Sequence, residues 1–295
     1  MKRPSGMFAI APRIINRTVI ILSLTIVAIV NSSVFATEQQ QWLAELQRLA
    51  EAPVRGAEHI RRNIYRHPAE TLTFMGLKPE MSVLEIWPAR GWYTEILAPF
   101  LKDKGQLTIA QFRHNDGTLR DERDIFWARL SARLAARIEA EAEYFGPVEF
   151  LELAPPNLLP ALPAAQFDMV LTFRNAHIWN ERGELLATLQ TLFSVLKPGG
   201  ILGMVEHRAA KLSDISSSAV EGYLDESYVI SVAQMAGFEL VATSEINANP
   251  ADTKNYPKGV YALPPTLALG LQNKAYYVGI GESDRMTLKF IKPAG

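Results

Sequence analysis

The sequence contains no cysteine. Disulfides, cysteine nucleophiles and thiolate metal sites are excluded together. No Gly-x-Ser-x-Gly nucleophile elbow is present, so the commonest hydrolase signature of an α/β chain is missing. No histidine or carboxylate spacing matches a metal-binding motif, and no metal is expected. Charge of neither sign dominates: 30 Lys and Arg stand against 31 Asp and Glu, a net of −1. Without basic runs the chain is a poor ligand for nucleic acid, and no such partner is expected.

A long hydrophobic run is also missing, but a short one stands near the start. Lys2, Arg3, Arg13 and Arg17 precede the uncharged segment 18–36, whose Val19–Val30 portion is mostly apolar. Asn31-Ser-Ser-Val-Phe-Ala36 follows, with the small residues Val34 and Ala36 spaced as a signal peptidase requires. The order predicts a signal peptide over residues 1–36 and an exported, periplasmic or secreted protein. A retained anchor is the alternative, but the apolar core falls short of the roughly 20 residues a span needs. No stable membrane span is expected after processing. Beyond residue 36, acid exceeds base.

At 295 residues and 48% hydrophobic, the chain can bury the core of one α/β domain. Helices are expected over 37–80, and the α/β core over 81–295, making one domain over 37–295. Arg55–Arg66 is expected as a helix with a solvated basic face, and Tyr65–His67 as a loop before a helix starting at Pro68. Short apolar runs predict strands at residues 82–87, 106–112, 148–153, 167–173, 201–206, 238–246 and 286–291. Helical patterns separate them, notably 118–144, whose Phe126, Leu130, Leu134 and Ile138 read as a core stripe. The Pro-rich segment 155–163 reads as a loop, and 247–277 as a long connection.

The organising stretch is SVLEIWPARGWYTEIL, residues 82–97: a buried strand, a tight turn and a helix. It opens a doubly wound sheet, in which ligands bind at the carboxyl ends of the parallel strands. Its mid-strand acid, Glu85, and the turn ending in Gly91 resemble the first motif of class I S-adenosylmethionine-dependent methyltransferases. In that family the motif reads acid-x-Gly-x-Gly-x-Gly. Here the three glycine positions hold Trp87, Ala89 and Gly91. The stretches LTFRNAHIW, LKPGGILGMVEHRA and ESDRMTLKFIKP extend the resemblance to an exported predicted-methyltransferase family of bacteria. Members of that family typically read WPGGGWYTEIL in the first motif, so this chain departs at Ala89-Arg90.

The resemblance implies a seven-stranded, Rossmann-like methyltransferase sheet flanked by helices, with extra N-terminal helices. It implies S-adenosyl-L-methionine as cofactor and a small-molecule or exported substrate. The residues assigned to the cofactor are Glu85, Trp87, Pro88, Ala89, Arg90, Gly91, Trp92 and Tyr93, then Gln111 at the ribose position, and Arg174. His177, His207 and Asn175, after adjacent strands, are the catalytic candidates, since imidazole can act as general base or acid. The alternative is an exported binding or interaction protein that keeps the fold without methylating. Two missing glycines and an uncharged Gln111 speak for it.

Overall fold

The computed structural model describes residues 1, 38–210 and 220–295. The expected signal peptide lies outside the described residues, apart from Met1. Two compact units are present, Met1–Gln41 and Trp42–Gly295. Of the first, residues 38–41 are helical; the sheet and its helices belong to the second. No described helix is long and apolar enough to cross a membrane.

Eight strands form one mixed sheet: β1 (Ser82–Ile86), β2 (Gln106–Phe112), β3 (Val148–Ala154), β4 (Asn157–Leu159), β5 (Phe167–Phe173), β6 (Leu196–His207), β7 (Glu239–Ser244) and β8 (Arg285–Ile291). Their order is β4-β3-β2-β1-β5-β6-β8-β7. β3, β2, β1, β5 and β6 run parallel. β8 pairs antiparallel with both β6 and β7. The expected count of seven strands is corrected to eight. The additional strand, β4, is three residues inside the segment read as a loop, and it pairs antiparallel with β3 at the sheet edge.

Strand residues alternate between two cores, as a pleat requires. Leu84, Ile86, Val170, Leu202 and Leu288 pack with the helices Leu185–Val195 and Glu226–Met235. Val83, Ile109, Met169, Leu171 and Val205 pack on the other face with the helices Pro68–Met75, Thr94–Leu101 and Glu122–Ala140. Both faces are covered, so the parallel strands read as continuous apolar runs.

The basic segment is not a solvated helix. It breaks into a 3-10 turn and two short helices, Gly56–Ile60 and Asn63–Arg66, and both Arg55 and Arg66 are buried. Tyr65 and Arg66 are helical; His67, at φ 37°, makes the left-handed step into the helix at Pro68. Arg55 reaches Glu95, a fully buried acid that also takes His59 and Arg137. A buried guanidinium is tolerated because a carboxylate meets it. Sequence periodicity records the charge but not the distant acid.

Candidate functional site

Topology assembles the site. The parallel strands β1, β2, β5 and β6 end on one edge, and antiparallel β8 begins there, with His207 opposite Arg285. A cavity of about 630 Å³ opens at this edge, within the range of small-molecule sites. Of the expected residues, Glu85, Trp87, Pro88, Ala89, Trp92 and Tyr93 line it from the first turn, and Arg174, Asn175, His177 and His207 from the ends of β5 and β6.

The first turn keeps a glycine-like backbone without the glycines. Trp87, Ala89 and Gly91 have φ of 44°, 54° and 79°. Left-handed backbone costs a residue with a Cβ roughly 1–2 kcal/mol, so packing must hold Trp87 and Ala89 there. Trp87 supplies it. Its indole N–H donates to the carbonyl of Leu153 at 3.1 Å, and its ring lies 4.5 Å from Phe112. The indole therefore reaches from β1 across the end of β2 to β3.

Three expected cofactor residues are not in the cavity wall. Gln111 is half-buried and donates to the Ser131 carbonyl at 3.3 Å. Alternation along β2 turns Phe112, not Gln111, to the cavity. Arg90 is exposed and sits with Arg133 and Arg137 on the outer surface. Gly91 is a packing residue: a Cβ there would stand 2.5 Å from Leu134 Cδ1. Trp92 reaches the cavity, but the guanidiniums of Arg55 and Arg66 lie over its ring at 4.6 and 4.8 Å. It offers little free face. Phe126, read as core, is 50% exposed and lines the mouth.

Glu85 accepts from Thr94 Oγ1 at 2.7 Å, joining the strand to the helix after the turn. Burial pushes its carboxyl up to about 8, so it is protonated at neutral pH. Asn175 donates to the Ile86 carbonyl and to Thr172, holding β5's end to β1.

His177 Nδ1 lies 3.0 Å from Oε1 of the fully buried Glu206. The same carboxylate accepts the His177 and His207 backbone N–H groups. A carboxylate partner puts the proton on Nδ1 and leaves Nε2 as acceptor. His207 Nδ1 lies 2.5 Å from Ser283 Oγ, and the two imidazole centroids are 5.5 Å apart. Burial, then His177 and the cations Arg174, Arg285 and Arg66, hold His207 well below its ordinary pKa. It is neutral at physiological pH.

Sequence reading missed Arg66, Glu282 and Ser283, which line the cavity from the N-terminal helices and the start of β8. The available signal was ESDR before the last strand, whose antiparallel entry delivers its first residues to the site. Arg208, the residue after β6, lies outside this cavity and pairs with Glu226, Glu245 and Asp284. Among the described residues, no three His, Asp or Glu gather to hold a metal ion.

No protein-family model matches the chain, and no curated protein does. Solved structures do. A methyltransferase dependent on S-adenosylmethionine from Aquifex aeolicus aligns at TM-score 0.51 and 16% identity, over 85% of this chain and 98% of that one. The chain has the methyltransferase fold. The 4+2 cyclase SpnF aligns at TM-score 0.53 and 18% identity, over 78% of this chain and 81% of its own. At these identities the methyltransferase likeness is one of fold, and activity must be argued from the cavity.

Proposed function

We propose that the protein is an S-adenosylmethionine-dependent methyltransferase acting on a small molecule. The observation that carries this reading is the Glu206–His177 pair opening on the same cavity as the first turn of a methyltransferase fold. The residues fit the cofactor. Pro88, Ala89, Tyr93 and the indole of Trp87 would hold it, and the protonated Glu85 adds a neutral floor. When bound, it supplies a methyl group on a sulfonium. The chain's own residues then position and deprotonate the acceptor. His177 Nε2 takes the proton from an acceptor O–H or N–H, and Glu206 stabilises the imidazolium that forms. Neutral His207 offers a second hydrogen-bonding group and adds no positive charge. Water exclusion comes from Phe126, Trp127 and Tyr261 around the mouth. The finer assignments to an exported bacterial methyltransferase family, and to a periplasmic or secreted site, rest on the sequence pattern of residues 1–36 and on the WYTEIL-type motif.

A second reading has its own support. Trp87 covers the end of β2, and Gln111 points away from the cavity, so the usual ribose contact has no counterpart. This favours an exported binder that does not methylate. Calorimetric titration with S-adenosylhomocysteine separates the two: micromolar binding is expected, and no binding at millimolar ligand would leave the second reading.

A further inference from the structure

Charge at the end of the cavity lined by β5, β6 and the segment leading into β8 does not balance. Glu206 is taken by His177 and two backbone N–H groups, and Glu282 is already shared. Arg62 Nε, Arg66 Nε and Arg285 Nη1 meet its carboxylate at 2.6, 2.8 and 3.3 Å. Arg174 adds a fourth cation within their field, and among the described residues its guanidinium makes no hydrogen bond or ion pair. The next acid, Asp284, is taken by Arg208 and Lys254. Glu85, protonated, contributes no charge. Two guanidinium nitrogens are also left over: Nη2 of Arg62 and Nη2 of Arg66 are buried without a partner. Arg66 is 1% exposed and lines the cavity.

Desolvating a guanidinium is unfavourable unless an anion meets it. Burial pushes Arg174 well below its ordinary pKa, and Arg66 pushes the same way. Arg174 also holds a left-handed backbone at φ 65°, where a side chain with a Cβ is strained. Arg174 is half-buried, and a cation without a partner on a strained backbone is poor for stability and suited to a ligand. Planar guanidiniums match the two oxygens of a carboxylate.

We propose that this end of the cavity is a subsite for a carboxylate, anchored by Arg174 and Arg66 and carried by the molecule to be methylated. The acceptor is then a small organic acid. Location favours the acceptor over the cofactor. Arg174 follows β5 and Arg285 begins β8, on the same side of β1 as His177 and His207 and away from β2 and β3. The cations lie close enough to the imidazoles to depress His207. A carboxylate held here belongs to the molecule whose proton His177 removes. The acceptor assignment rests on the methyltransferase reading; the anion subsite itself does not.

The test is calorimetry on the full chain in phosphate-free buffer, with para-hydroxybenzoate, its uncharged counterpart phenol, and S-adenosylhomocysteine. The acid is expected to bind roughly ten- to a hundredfold tighter than phenol, the effect of charge-assisted hydrogen bonds. Arg174→Asn should abolish that preference, keep S-adenosylhomocysteine affinity within about twofold, and melt no lower than the parent, since asparagine suits this backbone. Arg174→Lys, keeping the charge without the fork, should retain part of the preference. Equal binding of acid and phenol, or binding of neither, overturns the subsite. Loss of S-adenosylhomocysteine affinity in Arg174→Asn, with the acid unaffected, gives the cations to the cofactor and overturns the acceptor assignment. Acid binding without S-adenosylhomocysteine binding keeps the subsite and removes the methyltransferase reading instead.

Discussion

Glu206 grips His177 twice, through the imidazole Nδ1 at 3.0 Å and through the backbone N–H at 3.2 Å. Ring orientation and tautomer are thereby fixed before any ligand enters. His177→Ala should lower kcat by about a hundredfold or more, as expected for a lost general base. Glu206→Gln should also lower it, because glutamine stabilises the imidazolium less. Unchanged turnover in both variants would remove the dyad from the mechanism.

Trp87 packs and, in the reading above, binds. Trp87→Ala should cost about 3–5 kcal/mol, the usual loss for a buried aromatic, with no relief of the left-handed backbone, since alanine keeps the Cβ. Affinity for S-adenosylhomocysteine should fall with it, measured at a temperature where the variant is folded. Tighter binding would mean that the indole blocks the end of β2 and that the non-methylating reading is the better one.

Gly91 separates structure from function. Gly91→Ala should destabilise by about 2–4 kcal/mol, since the left-handed backbone and the clash with Leu134 add. The side chain faces helix Glu122–Ala140 and not the cavity, so kcat of the folded fraction should be unchanged. A melt combined with a rate at low temperature checks both. A kcat loss with no change in melting would return Gly91 to the cofactor.

Two acids tilt stability with pH in opposite directions. Burial alone would raise Glu282, but Arg66, Arg285, Arg62 and Arg174 hold it at about 2 against an ordinary 4.5. Its contribution is present above pH 4.5 and is lost as pH falls through about 2. Glu85, raised by burial from 4.5 to about 8, contributes fully below pH 4.5 and loses that contribution as pH rises through about 8. Melting temperatures across pH should decline less on the alkaline side in Glu85→Gln and less on the acid side in Glu282→Gln. Parallel curves for parent and variant would contradict the assignment.

How much of this was legible depended on sequence distance. Strands such as FDMVLTF announce themselves, because both faces are buried and all residues but Asp168 and Thr172 are apolar. The lining of the cavity from the first turn and from Arg174–His177 followed from one rule about strand ends. Gln111 was misplaced by one step of the pleat: the rule finds the end of a strand but not which of two successive residues faces the ligand. Arg66 escaped because its acid, Glu282, lies 216 residues away, and a local window reads such an arginine as surface. Phe126 failed for the reverse reason. Its helical spacing matches a core stripe, but the stripe's first turn extends past the sheet edge.

The pairing of Arg62 and Arg66 with Glu282 also sets an order of assembly. Two guanidiniums made early in the chain have no carboxylate until the segment leading into β8 has been synthesised and has inserted between β6 and β7. Contacts so distant in sequence form late and slowly. A chain stalled before Glu282 would carry mutually repelling cations at the place where its site should close, and protease sensitivity there would report whether the final strand has docked.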